Sequence, residues 1–203
     1  MIIALTAEET VVGELEIIPA LFEQGLDLLH LRKYHFTDAQ MCRYIASIGE
    51  QYHSRLVLHS HPHLSAALGI YRVHINEQGR SRGLFDKQFA NCICSTSVHQ
   101  IQKFNTLEDC WDYAFLSPVF PSISKSGYGE RDTVLDQLAF RSNFNVNLIA
   151  LGGITATNCL LALQAGVDGI ALLGSLWCQP DPIQNFILCK ETLSQDYNIF
   201  HRG

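Results

Sequence analysis

The sequence predicts a (β/α)8 TIM barrel occupying residues 1–203 as one domain, and three observations carry that reading. Eight short apolar runs recur along the chain. Most are followed by a segment of helical pattern, the signature of repeated β-α units around a parallel sheet. The last two runs end in glycines, at the seventh and eighth strand ends where this fold keeps its usual phosphate site. An open doubly wound sheet is the alternative arrangement of the same units. A length of 203 residues is at the short end for a barrel, which implies short helices and lean loops.

The candidate strands, in order, are IIALT (2–6), LDLLHLR (26–32), RLVLHS (55–60), YRVHI (71–75), NCICST (91–96), YAFLSPV (113–119), NLIALGG (147–153) and GIALLGS (169–175). GELEIIPALFEQG follows the first strand, and Gly25 is placed to stop it. FTDAQMCRYIASIGEQYH follows the second, with Thr37 as its N-cap. PHLSAALG puts Pro62 at a first helical position and Gly69 at the end. TATNCLLALQAG and DPIQNFILCKETLSQ supply the last two helices.

Composition sets the limits. Hydrophobic residues make up 47% of the chain and mean hydropathy is +0.08, ample for a buried core. A net charge of −6 and a pI of about 5.8 argue against a surface that tracks nucleic-acid phosphates. Met1 to Thr6 lacks a basic flank and soon meets Glu8 and Glu9, so it reads as a first strand and not as a signal peptide. No run reaches the roughly 18 apolar residues of a membrane span. Seven cysteines fit neither zinc nor disulfide spacing, and Cys92 and Cys94 share one strand face as core residues do. The expectation is a reduced, cytoplasmic protein with no nucleic-acid or membrane partner. Phe115, Phe120 and Trp177 are candidates for a homodimer interface or for the outer packing of the barrel.

A barrel places its chemistry at the C-terminal ends of its strands. Gly152, Gly153, Gly174 and Ser175 end strands 7 and 8. Glycines there let backbone N–H groups approach an anion, so the expected ligand is a small phosphorylated molecule. The stretch LHSHPH (58–63) puts three histidines at the third strand end. Strand parity groups His59 with His61 and separates Ser60, while His30 and His74 lie on the neighbouring strands. Three readings stay open: a zinc-type site, acid–base or ligand contact, or decoration of the helix that Pro62 opens. His59 is the strongest functional candidate of the group.

Taken in order, LHLRKY (29–34), GIYRVHINEQ (69–78), STSVH (95–99), DYAFLSPVFPSISK (112–125), ALGGI (150–154) and GVDGIALLGSL (166–176) resemble motifs of the thiamine phosphate synthase family, which includes the TenI-like proteins. The resemblance implies a barrel, often dimeric, that binds hydroxyethylthiazole phosphate. Synthases of the family join it to hydroxymethylpyrimidine pyrophosphate, and TenI-like relatives aromatise a thiazole tautomer or have no assigned reaction. It implies that Arg32 grips pyrophosphate, that Ser97 is the family serine, and that Lys125 closes over the leaving group. It also implies that Ser122 and Ser124 contact the thiazole phosphate, with SGYGE (126–130) as a lid. His30 shares the strand face of Arg32.

The synthase reaction needs Mg²⁺ on carboxylates. Where the family carries Asn-Asp-Arg this chain has His59, Ser60 and His61, and the second carboxylate position falls near Gly79. The motif lysine of strand 2 is Tyr34, with Lys33 one place early. TenI-like tautomerases carry a histidine where this chain has Pro118. The expectation is therefore TenI-like thiazole phosphate chemistry with no dedicated metal site. Condensation with Mg²⁺ is the alternative, and a non-catalytic phosphate-ligand binder a further one.

Overall fold

The computed structural model describes residues 1–83, 89–123 and 133–200, with side chains to residue 194. Its eight strands are β1 (Ile2–Leu5), β2 (Leu28–Leu31), β3 (Leu56–Leu58), β4 (Arg72–Ile75), β5 (Ile93–Val98), β6 (Tyr113–Leu116), β7 (Asn147–Leu151) and β8 (Gly169–Leu172). They pair in parallel, in chain order, and β8 closes on β1 to complete the barrel. A parallel strand in a closed barrel has no solvent face, which is why β1, β2, β3, β6 and β8 are buried at every position.

The period of two then sorts side chains between two cores. Ile3, Leu5, Leu28, Val57, Tyr113, Phe115, Ile149 and Ala171 fill the barrel interior. Leu29, Leu31, Leu56, Leu58, Val73, Cys94 and Leu116 point outward and join the larger layer beneath the helices. Phe115 is therefore neither an interface nor an outer-layer residue: its even spacing from Tyr113 turns it inward. Phe120 and Trp177 pack against the outer layer, and Trp177 Nε1 donates to the Leu5 carbonyl (2.7 Å).

The helices are α1 (Glu14–Glu23), α2 (Asp38–Ile48), α3 (Ser65–Leu68), α4 (Glu77–Ser81), α5 (Ile101–Asn105), α6 (Cys159–Gln164), α7 (Gly174–Trp177) and α8 (Pro182–Phe200). Five of them have six residues or fewer, as the short chain demands. Thr37 caps α2 reciprocally with Gln40, as its sequence position predicts. Among the described residues between β6 and β7, the helical segment is 3₁₀, Leu135–Phe140. Among the described residues, no helix is long and apolar enough to cross a membrane.

Candidate active site at the barrel mouth

The C-terminal strand ends surround a cavity of about 690 Å³. Its wall includes Arg32 from β2, His59 from β3, Asn76 and Glu77 after β4, Ser97 and His99 from β5, and Ser117 and Ser122 after β6. Leu151, Gly152 and Gly153 follow from β7, and Leu173 and Gly174 from β8. Of the residues expected from the sequence, Arg32, His59, Ser97, Ser122, Gly152, Gly153 and Gly174 share this cavity. Ser124 and Lys125, with the SGYGE stretch, lie outside the described residues.

Ser175 does not line the main cavity. It is buried at the start of α7 and borders a small separate pocket with Asn185 and Cys189 from α8. The inward step of the glycine turn ends at Gly174, so the next side chain faces the helix layer. His30 is also absent from the cavity wall: it is fully buried one layer below it, in contact with His59.

Gly152 and Gly153 have φ of 97° and 63°, a region unfavourable for residues with a Cβ. A Cβ on Gly153 would stand 2.2 Å from the Pro121 carbonyl oxygen, and one on Gly152 would stand 2.9 Å from Pro118 Cα. The loop after β6 thus lies directly on the β7 turn, and glycine is required by that approach in addition to any anion.

The three histidines of LHSHPH go to three places. His59 follows strand parity into the barrel mouth. His61 does not: it stands three residues past the end of β3 at Leu58, directly before the 3₁₀ turn that Pro62 opens, and its buried ring bonds Ser60 Oγ (2.7 Å) and the Phe36 carbonyl (2.8 Å). His63 meets Asp38 on the surface (2.9 Å). The imidazoles that do gather are His30, His59 and His74, with one nitrogen of each within 4.8 Å of the others. His59 and His74 stack at 4.0 Å with planes 19° apart. Their in-plane lone pairs therefore run side by side and do not converge on one ion.

Burial pushes His30 and His59 well below the ordinary imidazole range, and the neighbouring imidazoles add to it. Burial, and then the Arg80 guanidinium, push His74 down to about 3. All three are neutral at neutral pH.

Two cations leave β2 side by side. Arg32 faces the mouth, where Glu8 pairs with it (2.9 Å). Lys33 turns outward and is sealed: its ammonium pairs with Glu14 (2.7 Å) and donates to the Glu9 carbonyl (2.9 Å). Tyr44 donates to the same carboxylate (2.8 Å).

Sequence reasoning missed Asn76, Glu77, His99 and Ser117 as cavity residues, and Ser95 and Tyr113 beneath them. His99 Nδ1 donates to the Ser117 carbonyl (2.8 Å), which aims its ring at the mouth. The available signal was in β5, where Ser95 and Ser97 place two hydroxyls at period two inside a buried strand.

A family model described as thiamine monophosphate synthase matches residues 3–176. The chain belongs to that family. A thiamine-phosphate synthase of Lysinibacillus sphaericus is 27% identical over 158 residues, covering 77% of this chain and 74% of that protein. One from Methanospirillum hungatei is 27% identical over 165 residues, covering 77% and 79%. The crystal structure of a thiamine phosphate pyrophosphorylase from Bacteroides thetaiotaomicron superposes with a TM-score of 0.76 at 28% identity, covering 96% of this chain and 98% of that one.

Within this family the residues at the expected Mg²⁺ positions do not fit the ion. Ser60, at the position where the motif resemblance expects a carboxylate, has its hydroxyl occupied by the Leu31 carbonyl (3.3 Å), the Lys33 N–H (3.1 Å) and His61. Gly79 lies inside α4 and has no side chain to offer. Glu77 is a single carboxylate at the cavity, 3.8 Å from the Arg80 guanidinium. A hard divalent ion takes several oxygen ligands, and no such set forms among the described residues.

Proposed function

We propose that the chain acts on hydroxyethylthiazole phosphate, or a close phosphorylated thiazole, by TenI-like acid–base chemistry. The observation that carries this reading is His59: a neutral imidazole in the cavity wall, beside a Ser60 that cannot replace the family's metal-binding carboxylate. Aromatising a thiazole tautomer moves a proton from one ring position to another. A neutral imidazole with one bare nitrogen is suited to take it. The glycine turns at Gly152, Gly153 and Gly174 and the Arg32 guanidinium supply N–H donors and positive charge for the phosphate. Ser97 and Ser122 offer hydroxyls from the opposite wall.

The second reading is condensation of the thiazole with hydroxymethylpyrimidine pyrophosphate. It is favoured by Arg32 and Ser97, which match the family's pyrophosphate-gripping pattern and share the cavity. One experiment separates the readings: purified protein is incubated with the thiazole tautomer phosphate, and with the pyrimidine and thiazole substrates together, each with Mg²⁺ and with EDTA. Aromatisation unaffected by EDTA supports the proposal. Thiamine phosphate formed only with Mg²⁺ supports condensation. Thiazole phosphate binding without turnover supports a binder that has lost the chemistry.

A further inference from the structure

The barrel interior buries polar groups that simple acid–base catalysis by His59 does not need. They form two hydrogen-bonded runs that meet where Tyr113 stands beside Ser95 in register. His59 Nδ1 meets His30 Nδ1 (3.0 Å), and His30 Nε2 meets the Tyr113 hydroxyl (2.5 Å). Tyr113 stands beside Ser95, its register partner on the neighbouring strand β5. Ser95 Oγ meets His74 Nδ1 (2.9 Å) and, at longer range, the Val73 carbonyl (3.4 Å), and His74 Nε2 meets Ser97 Oγ (2.8 Å). His30, Tyr113, Ser95 and His74 are each at most 2% exposed, whereas both end groups, His59 and Ser97, line the same cavity.

We propose that the two runs join between Tyr113 and Ser95 into a U-shaped proton relay, taking a proton from the bound ligand at His59 and returning one to it at Ser97. Its part in turnover rests on the acid–base reading above; the two hydrogen-bonded runs do not.

The transfers balance at every group. Before transfer His59 Nε2 is bare, and each later donor points away from it: His59 Nδ1–H to His30, His30 Nε2–H to Tyr113, Tyr113 O–H to Ser95, Ser95 O–H to His74, His74 Nε2–H to Ser97, and Ser97 O–H to the cavity. The ligand's proton bonds to His59 Nε2 as its own electron pair stays on the ligand. Each group then passes one proton on, and Ser97 releases its original proton to the ligand's second position. Afterwards every hydrogen bond is present with donor and acceptor exchanged, and no group has gained charge. The surroundings favour such a neutral relay. Arg32 stands near His59, and Arg80 donates to the Ser97 carbonyl (3.0 Å) and to Thr96 Oγ1, so an imidazolium between them would face cations at both ends. Glu8 and Glu77 are bound to those cations at the rim. A tautomerisation needs this: two positions of one ligand exchange a proton, and the barrel interior holds no charge in between.

The relay makes a restrictive prediction about tautomers. In both of its states His30 and His74 carry their proton on the same kind of nitrogen, and His59 carries it on the other. NMR of protein labelled with ¹⁵N-histidine reads this directly at pH 7. Opposite tautomers at His30 and His59 support the relay, and equal ones, or a charged ring at any of the three, overturn it. Ser95→Ala cuts the path without touching either end, and should lower kcat roughly 10²-fold while KM holds within about twofold. Ser95→Thr keeps the hydroxyl and should restore the rate. An unchanged kcat in Ser95→Ala overturns the relay, and Tyr113→Phe makes the same cut should the alanine variant fail to fold. If the wild-type protein turns over no thiazole phosphate, the acid–base reading is lost and the tautomer pattern alone decides the path.

Discussion

Two polar clusters are buried on opposite faces of strand β2, and they solve the same problem differently. Behind the strand, Lys33, Glu14 and Tyr44 hold a fully charged pair out of water. In front of it, His59, His30 and Tyr113 form one hydrogen-bonded run of neutral groups, and Ser95 and His74 form another beside it. The charged cluster is sealed by the rings of Phe36 and Tyr44, 5.8 and 5.4 Å from the ammonium, and does not line the barrel-mouth cavity. The neutral cluster opens to the mouth at His59 and Ser97. A buried ion pair fixes one arrangement, because moving either charge leaves the other unpaired. Neutral hydroxyls and imidazoles can reverse their donors without leaving any group unpaired, which is what proton movement requires.

The contrast is broken most sharply by His59→Ala. If the neutral cluster is the working one, kcat for the thiazole phosphate falls by roughly 10²- to 10⁴-fold, measured in steady-state kinetics. Lys33→Met should do the reverse. Glu14 would be left buried and unpaired, costing about 3–5 kcal/mol in urea unfolding, with kcat of the folded fraction unchanged.

Acid also separates the clusters. The three histidines have folded pKa values below the unfolded 6.5, so the unfolded chain takes up protons that the folded chain refuses. Stability is complete above pH 6.5 and is lost as pH falls from there, towards about 3 for His74. Each histidine contributes a slope of about 1.4 kcal/mol per pH unit in that window. Urea midpoints at pH 7.5 and 5.5 should show the loss, and His74→Gln should flatten it by one group's share.

The smallest effect is expected at Ser175, whose buried hydroxyl has no hydrogen-bond partner among the described residues. Ser175→Ala should leave stability unchanged or raise it by about 1 kcal/mol, read as a shift in urea midpoint. A loss would mean that this hydroxyl is satisfied in solution and belongs with the paired clusters.

Much of this was legible in the sequence. The eight strands appear where short apolar runs stand, within a few residues at each end, because strands buried on both faces leave an unbroken apolar signal. Parity correctly turned His30 inward and Leu29 and Leu31 outward. It failed at His61, three residues after the strand had ended, where the alternation no longer operates. It also could not foresee that the glycine turn would send Ser175 away from the cavity. Ser124 and Lys125 lie outside the described residues and test neither expectation.

By itself the sequence determined the barrel, the inward histidines at the ends of β2, β3 and β4, and the glycine turns after β7 and β8. Those are properties of single residues and of periods along one strand. Only the tertiary structure decided that Tyr113 meets His30 across the barrel, 83 residues away in the chain, and that Ser95, bonded to His74, stands beside Tyr113 in register. Strand closure and tilt set which inward side chains touch, and no period along a single strand records which residues stand opposite.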